Sequence, residues 1–172
     1  MDTPTTDFFL MDTCVVSDFI KTGLKCLLHL RQKGCRIYIL AEVFRELQKD
    51  SSFSDDELED LGVEIIDAEV VEYMARTSIA SKALSDVDKL CVTVAKARDF
   101  HCITNDKRMR NECISQKVNV KWGLEFIISI CEDGTIAPEV AVLWGTAIYN
   151  SNKLYLTDDV YTKFTNRIKA LK

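Results

Sequence analysis

Only six glycines and two prolines interrupt this 172-residue chain. With 47% of its residues hydrophobic, so few breakers exclude a low-complexity or intrinsically disordered chain. No apolar run approaches the ~20 residues needed to cross a bilayer. The N-terminal MDTPTTD lacks the basic region of a secretory signal, so a cytoplasmic protein is expected. Histidine is scarce: His29 and His101 are the only two, too few for a zinc site or for histidine-based catalysis, and each is read as structural. The seven cysteines include no Cys-x-x-Cys pair; an odd number, mostly within apolar runs, favours reduced, buried thiols over disulfides. Basic residues are not in excess. A net charge of −5 argues against a broad surface that coats nucleic acid, while leaving room for a local cluster of acids around a cation.

What is present is an alternation of strand and helix patterns. Residues 7–12 (DFFLMD) read as a short strand, and 17–34 as one amphipathic helix with apolar Phe19, Ile20, Leu24, Leu27, Leu28 and Leu30. CRIYIL (35–40) is a second strand running directly into a helix over 41–49. The clearest loop is DSSFSDD (50–56), where Ser54 can cap a short acidic helix ending at Gly62. VEIID (63–67) is a third strand, with helices expected over about 68–82 and from Ser85. HCIT (101–104) and VNVKW (118–122) are the fourth and fifth strands, separated by a helix from Asp106. Three helices follow from Gly123. Such alternation implies a parallel sheet covered by helices on both faces, and the length suits one domain. There is no internal repeat.

Ligands of open α/β sheets bind beyond the carboxyl ends of the strands. Asp12 follows FFLM; Glu42 follows IYIL by one residue; Asp106 follows HCIT by one residue. Asp88 stands in the first turn of the helix before HCIT. Taken singly, each has an ordinary explanation: Asp88 complements a helix dipole with Ser85 or Asp86 as cap, Glu42 is a first-turn acid, and Asp12 and Asp106 are helix caps. Taken together, unpaired carboxylates cannot share a crevice cheaply, because each raises the other's pKa. A divalent cation removes that conflict. Oxygen-only donors select a hard ion, Mg²⁺ or Mn²⁺.

The chain resembles the PIN domain family, the metal-dependent ribonuclease fold of VapC-like toxins in VapBC-type toxin–antitoxin pairs and of RNA-processing nucleases. The likeness spans about residues 7–122. It rests on Asp12-Thr13 after the first strand, Glu42 opening the helix after the second, Leu84-Ser85-x-x-Asp88 with Ala95 seven residues on, and Thr104-Asn105-Asp106 after a strand. Asp86 competes with Asp88 for the ligand role, and Ala95 favours Asp88. A helix ending in Gly and the acidic segment LYLTD (154–158) extend the likeness.

The resemblance implies a PIN-like three-layer α/β/α sandwich with a central parallel sheet of four to five strands and extra C-terminal helices over about 123–172. Asp12, Asp88 and Asp106 would hold Mg²⁺ or Mn²⁺ directly or through water, and Glu42 would orient or deprotonate the attacking water. Thr13, Thr104 and Asn105, with Asp86, would support them, although strand-end threonines are often merely structural. Glu46, one turn from Glu42, is read instead as a solvated partner of Arg45 or Lys49. Lys107, Arg108 and Arg110, with Lys96 and Arg98, are candidate RNA contacts, or simply a charged helix face. Trp122 and Trp144 are read as core or interface residues rather than base-stacking platforms. A metal-dependent endoribonuclease is expected, a toxin or defence-associated effector with RNA as substrate, a small antitoxin and a homodimer as candidate partners, and no membrane. Two other classes compete: a non-catalytic PIN-like RNA-binding or assembly scaffold, and a DNA nuclease or phosphatase on a related sheet.

Overall fold

The computed structural model describes residues 7–23, 25–50, 54–153 and 156–171. Residues 51–53 of the expected loop over 50–56 and the first two residues of LYLTD lie outside them. Five short strands form one all-parallel sheet: β1 (Phe8–Met11), β2 (Arg36–Leu40), β3 (Val63–Ile66), β4 (His101–Ile103) and β5 (Val120–Lys121). Their order is β3-β2-β1-β4-β5. The chain therefore adds strands on one side of β1, then crosses back and adds the rest on the other. In register, Leu10 lies between Tyr38 and Cys102, and Met11 pairs with Ile103.

Helices cover both faces. Strand side chains alternate sides, so Phe9 packs its ring against Phe126 of α8 (Gly123–Glu132), with Phe19 of α1 (Thr13–Lys21) behind it. On the opposite face, Cys102 meets Cys113 of α7 (Lys107–Ser115) and lies near Cys91 of α6 (Asp86–Arg98). Leu10, Ile37, Ile39, Ile103 and Phe126 are fully or almost fully buried in one continuous core.

Two helices depart from the sequence reading. The helix expected over 17–34 is two: α1 begins already at Thr13, and α2 is Cys26–Gln32. Thr22 donates its hydroxyl to the Phe19 carbonyl at 2.7 Å, and Gly23 turns with a φ of 66°, so the last turn of α1 cannot continue. The helix expected over 68–82 is only α5 (Val70–Ala75) with a 3₁₀ turn at Arg76–Ser78. Thr77 and Ser78 bond back to the carbonyls of Met74 and Ala75 and end it there. Elsewhere, α3 (Ala41–Asp50) leaves β2 without a loop, and α4 (Asp55–Asp60) has the Ser54–Glu57 capping box.

The C-terminal helices pack on the α1 and α8 side. They are α9 (Pro138–Ser151) and α10 (Asp158–Lys169). α9 rests on α1 and α8, and α10 on α8 and α9. Gly145 of α9 faces Phe164 of α10, which is 3% exposed. All seven cysteines are free, and all but Cys14 are buried. Among the described residues no helix is long and apolar enough to cross a membrane.

Candidate active site

The strand order reverses between β1 and β4, and there a crevice opens beyond the carboxyl ends of both. Asp12 and Thr104, the residues that follow these two strands, are both buried. Asp12 donates its backbone N–H to the Ile103 carbonyl at 3.0 Å, which ties the two strand ends together. Asp12 occupies the N-cap position of α1, yet its side chain makes no cap hydrogen bond. Instead Oδ2 accepts from the Thr104 hydroxyl at 2.7 Å and from the Cys14 thiol at 3.1 Å. Burial pushes the Asp12 carboxyl above the usual range, the Cys14 and Thr104 hydrogen bonds pull it partly back, and the charge of Asp88 adds to the rise. No basic side chain is among the groups that act on it.

Asp88 reaches this crevice from the first turn of α6. Its Oδ2 accepts from the Ser85 N–H at 2.8 Å, and Ser85 Oγ accepts from the Asp88 N–H at 3.1 Å. Asp106 caps α7, its Oδ1 accepting from the N–H groups of Arg108 and Met109 at 2.6 and 2.9 Å. Its own N–H donates to Thr104 Oγ1 at 3.0 Å. Thr104 therefore links Asp12 to Asp106 through one hydroxyl.

The third carboxylate beside Asp12 and Asp88 comes from Glu46. Thr13 donates to Glu46 Oε2 at 2.7 Å, and the buried Cys91 thiol is raised by burial and by the charges of Asp12, Asp88 and Glu46 together. Its expected role as a solvated partner of Arg45 or Lys49 needs correction: Arg45 pairs with Glu42 at 3.3 Å. Glu42, the expected member of the set, turns toward α5, where its Oε1 accepts from the Tyr73 hydroxyl. Its Oε2 is buried with no hydrogen-bond partner. A signal for this was available in the sequence. On the helical wheel of α3, Glu46 lies nearer than Glu42 to the buried stripe of Val43, Phe44 and Leu47.

No protein-family model matches the sequence, and no curated protein matches it. Among solved structures, a PilT N-terminus domain protein from the archaeon Sulfolobus solfataricus P2 is similar at 19% identity. The similarity covers 71% of this chain and 92% of that one, with a TM-score of 0.50. The chain has the PIN fold. VapBC2 from Rickettsia felis, in a structure bound to a DNA fragment from its promoter, is similar at 22% identity. That match covers 67% of this chain and 98% of the other, with a TM-score of 0.49.

Within the PIN fold the remaining predicted residues fall into distinct surroundings. Asp86 is exposed and lies 3.6 Å from Arg76, and it is not among the groups that act on Asp12. Asn105 bridges elements, its Nδ2 donating to Asp18 at 3.1 Å and its Oδ1 accepting from the Gly123 N–H at 2.9 Å. Lys107 and Arg108 are exposed beside Asp106. Arg110 is engaged: it pairs with Glu125 at 3.0 Å and stacks over the Trp122 ring. Arg98 is engaged too, held in a bidentate pair with the buried Glu72, and Lys96 donates to Gln116. Trp144 is buried against His29.

Among the described residues, no three His, Cys, Asp or Glu side chains already converge as a metal cage. The donor chemistry nonetheless fits a hard cation. Asp12 is a buried acid without a basic partner, and Asp88 and Asp106 each commit one oxygen to a helix N-terminus while no described residue engages the other. Mg²⁺ keeps several waters and takes only one or two protein carboxylates directly, so a closed cage is not required.

Proposed function

We propose that this chain is a divalent-metal-dependent endoribonuclease in which Asp12, Asp88 and Asp106 hold Mg²⁺ or Mn²⁺, directly or through water. Glu46 takes the role of orienting or deprotonating the attacking water that the sequence reading gave to Glu42. The observation that carries this reading is the buried Asp12 carboxylate at the switch point, without a basic partner and within electrostatic reach of Asp88, while Asp12, Asp88 and Glu46 all act on the buried Cys91 thiol. When bound, the ion polarises a phosphoryl oxygen and lowers the pKa of a water at the phosphodiester. The chain's own residues do the rest. Thr104 holds the Asp12 carboxylate and the Asp106 backbone, the Arg108 and Met109 N–H groups fix the Asp106 carboxylate, Thr13 aims Glu46, and exposed Lys107 and Arg108 are placed to contact phosphates flanking the scissile one. The setting we propose, on the resemblance of the sequence motifs, is a cytoplasmic toxin or defence-associated effector. A small antitoxin would lodge a basic side chain in the crevice, and a homodimer is expected.

One observation favours a second reading. Asp88 and Asp106 both serve as helix caps, and a non-catalytic PIN scaffold binding RNA would use them for that alone. Labelled RNA and DNA incubated with Mn²⁺, Mg²⁺ or EDTA separates the readings, with Mn²⁺ binding followed by calorimetry. Asp12→Asn, Asp88→Asn and Glu46→Gln should each lower metal-dependent RNA cleavage by about a hundredfold or more, as expected for the loss of a preorganised catalytic group. Glu42→Gln should lower it far less. Asp12→Asn should also raise the melting temperature in EDTA, because it removes a buried charge. Wild type that binds no Mn²⁺ and cleaves nothing favours the scaffold; cleavage unchanged in both aspartate variants overturns the site.

A further inference from the structure

Asp18 has no part in the carboxylate set, yet both of its carboxylate oxygens accept hydrogen bonds from side chains of distant elements, one of them in the site loop. It stands on α1, half-buried, one and a half turns after Asp12. Its Oδ2 accepts from Asn105 Nδ2 at 3.1 Å, and its Oδ1 accepts from Asn152 Nδ2. Asn152 closes α9 as its C-cap. Its backbone is held on both sides, its N–H donating to the Tyr149 carbonyl at 3.2 Å and its carbonyl accepting from Leu156 at 2.9 Å. Asn105 lies between the two residues that fix the site loop, Thr104 and Asp106, and its backbone N–H also faces the Cys14 thiol that donates to Asp12. One continuous series of hydrogen bonds thus runs from the end of α9, through Asp18 and Asn105, to the Thr104–Asp106 loop and Asp12.

We propose that Asp18 and Asn152 are positioning residues through which the C-terminal helices hold the Thr104–Asp106 loop in its working geometry. The inference rests on the nuclease reading for its consequence in activity, but not for the coupling itself. The chemistry leaves little freedom. The Asn105 amide cannot rotate, because its Oδ1 is taken by the Gly123 N–H; its NH₂ must face an acceptor at position 18. The Asn152 amide has no such second tie in the described contacts, and it can present either end. Asp18→Asn is therefore tolerated once Asn152 turns its oxygen toward the new amide. Asn152→Asp is not, since it sets two carboxylates against each other. The double change Asp18→Asn with Asn152→Asp restores a donor opposite an acceptor at both contacts.

Three readouts on the full chain test this: kcat and KM for RNA with Mn²⁺, Mn²⁺ affinity by calorimetry, and hydrogen exchange of the Gly123 N–H in metal-free protein. Asn152→Asp is expected to lower kcat roughly tenfold or more, since small displacements of a catalytic group are costly, with KM little changed. It should weaken Mn²⁺ binding and speed Gly123 exchange roughly tenfold. Asp18→Asn alone and the double variant should stay within about twofold of wild type. Phe164→Leu, which loosens α10 without touching this series of bonds, should lower the melting temperature and leave kcat in place. The proposal is overturned if Asn152→Asp leaves Gly123 exchange at the wild-type rate, or if the double variant fails to restore it. If wild type neither binds Mn²⁺ nor cleaves RNA, the nuclease reading falls, and Gly123 exchange alone still decides the coupling.

Discussion

Thr104→Val tests the site at its centre. The Thr104 side chain is fully buried, with no exposed surface, and its hydroxyl makes two bonds. It donates to Asp12 Oδ2 at 2.7 Å and accepts from the Asp106 N–H at 3.0 Å. Valine keeps the shape and removes both. A hydrogen bond to a charged group contributes about 1.5–3 kcal/mol, and an ordinary one about 1 kcal/mol. The expected loss at neutral pH is therefore about 2.5–4 kcal/mol, which for a chain of this size lowers the melting temperature by roughly 5–16 °C. The Cys14 thiol, a weak donor, cannot replace the hydroxyl. The loss must also depend on pH. Burial already raises the Asp12 carboxyl above its unfolded value, so its folded form is most favourable when protonated, and stability falls as pH rises through the folded pKa. Removing the Thr104 donor raises that pKa further, which deepens the fall. Below the unfolded value, about 3.9, Asp12 is neutral in both proteins and the gap shrinks toward the neutral hydrogen bonds. Urea denaturation of both proteins in EDTA, at about pH 3 and about pH 8, reads the two gaps. A gap of equal size at both pH values, or one below about 0.5 kcal/mol at the higher pH, refutes the reasoning.

Two further predictions concern stability away from the crevice. Glu72, 4% exposed, is held by both Arg98 Nε and a terminal nitrogen at 2.8 and 2.7 Å, and the Arg98 guanidinium keeps its carboxyl below the usual range. That lowered pKa stabilises the fold above the unfolded value and the benefit is lost as pH falls through the folded one. Glu72→Gln should cost about 3 kcal/mol at neutral pH, the low end for breaking a buried pair because Arg98 is partly exposed. It should also flatten the acid limb of a stability–pH curve. Gly145→Ala would bring a methyl well inside contact distance of the Phe164 ring edge and to 3.1 Å from its Cδ1. Overpacking there should cost about 1–3 kcal/mol by thermal denaturation, and adding Phe164→Leu should recover part of it.

The sheet was legible because each strand is a short apolar run whose end is marked, and because strands and helices alternate. The crossing back after β3 cannot be read from one sequence, yet the crevice depends on it. It puts Asp12 next to Thr104, 92 positions away, rather than next to the third strand. The break at Gly23 was hidden because the apolar stripe runs on through both α1 and α2, and periodicity reports which side is buried without reporting whether the backbone is continuous. Glu46 was misjudged for a related reason. Two acids one turn apart share a helix face; the wheel sets Glu46 nearer the buried stripe, and the approach of α1 to α3 then brings Thr13 against it. Asp18 and Asn152, 134 positions apart, carry no local signature at all.

The carboxylates at the crevice come from separate elements, and each is fastened by a different local device. Asp12 is held by the hydroxyl at the neighbouring strand end, Glu46 by Thr13, Asp88 by a capping box, and Asp106 by two backbone N–H groups of its own helix. The fastenings of Asp88 and Asp106 hold both acids in fixed rotamers at helix N-termini, where the exposed N–H groups favour negative charge. Asp12 stands at the N-cap position of α1 but makes no side-chain cap bond, and the bonds from Thr104 and Cys14 offset its burial only in part. It follows that the acids should not contribute equally when a cation arrives. Neutralising Asp12 relieves a cost that the metal-free fold bears, whereas neutralising Asp88 or Asp106 breaks a cap. An amide at position 12 should therefore raise the metal-free melting temperature, and an alanine at position 88 or 106 should lower it, even if all three abolish Mn²⁺ binding.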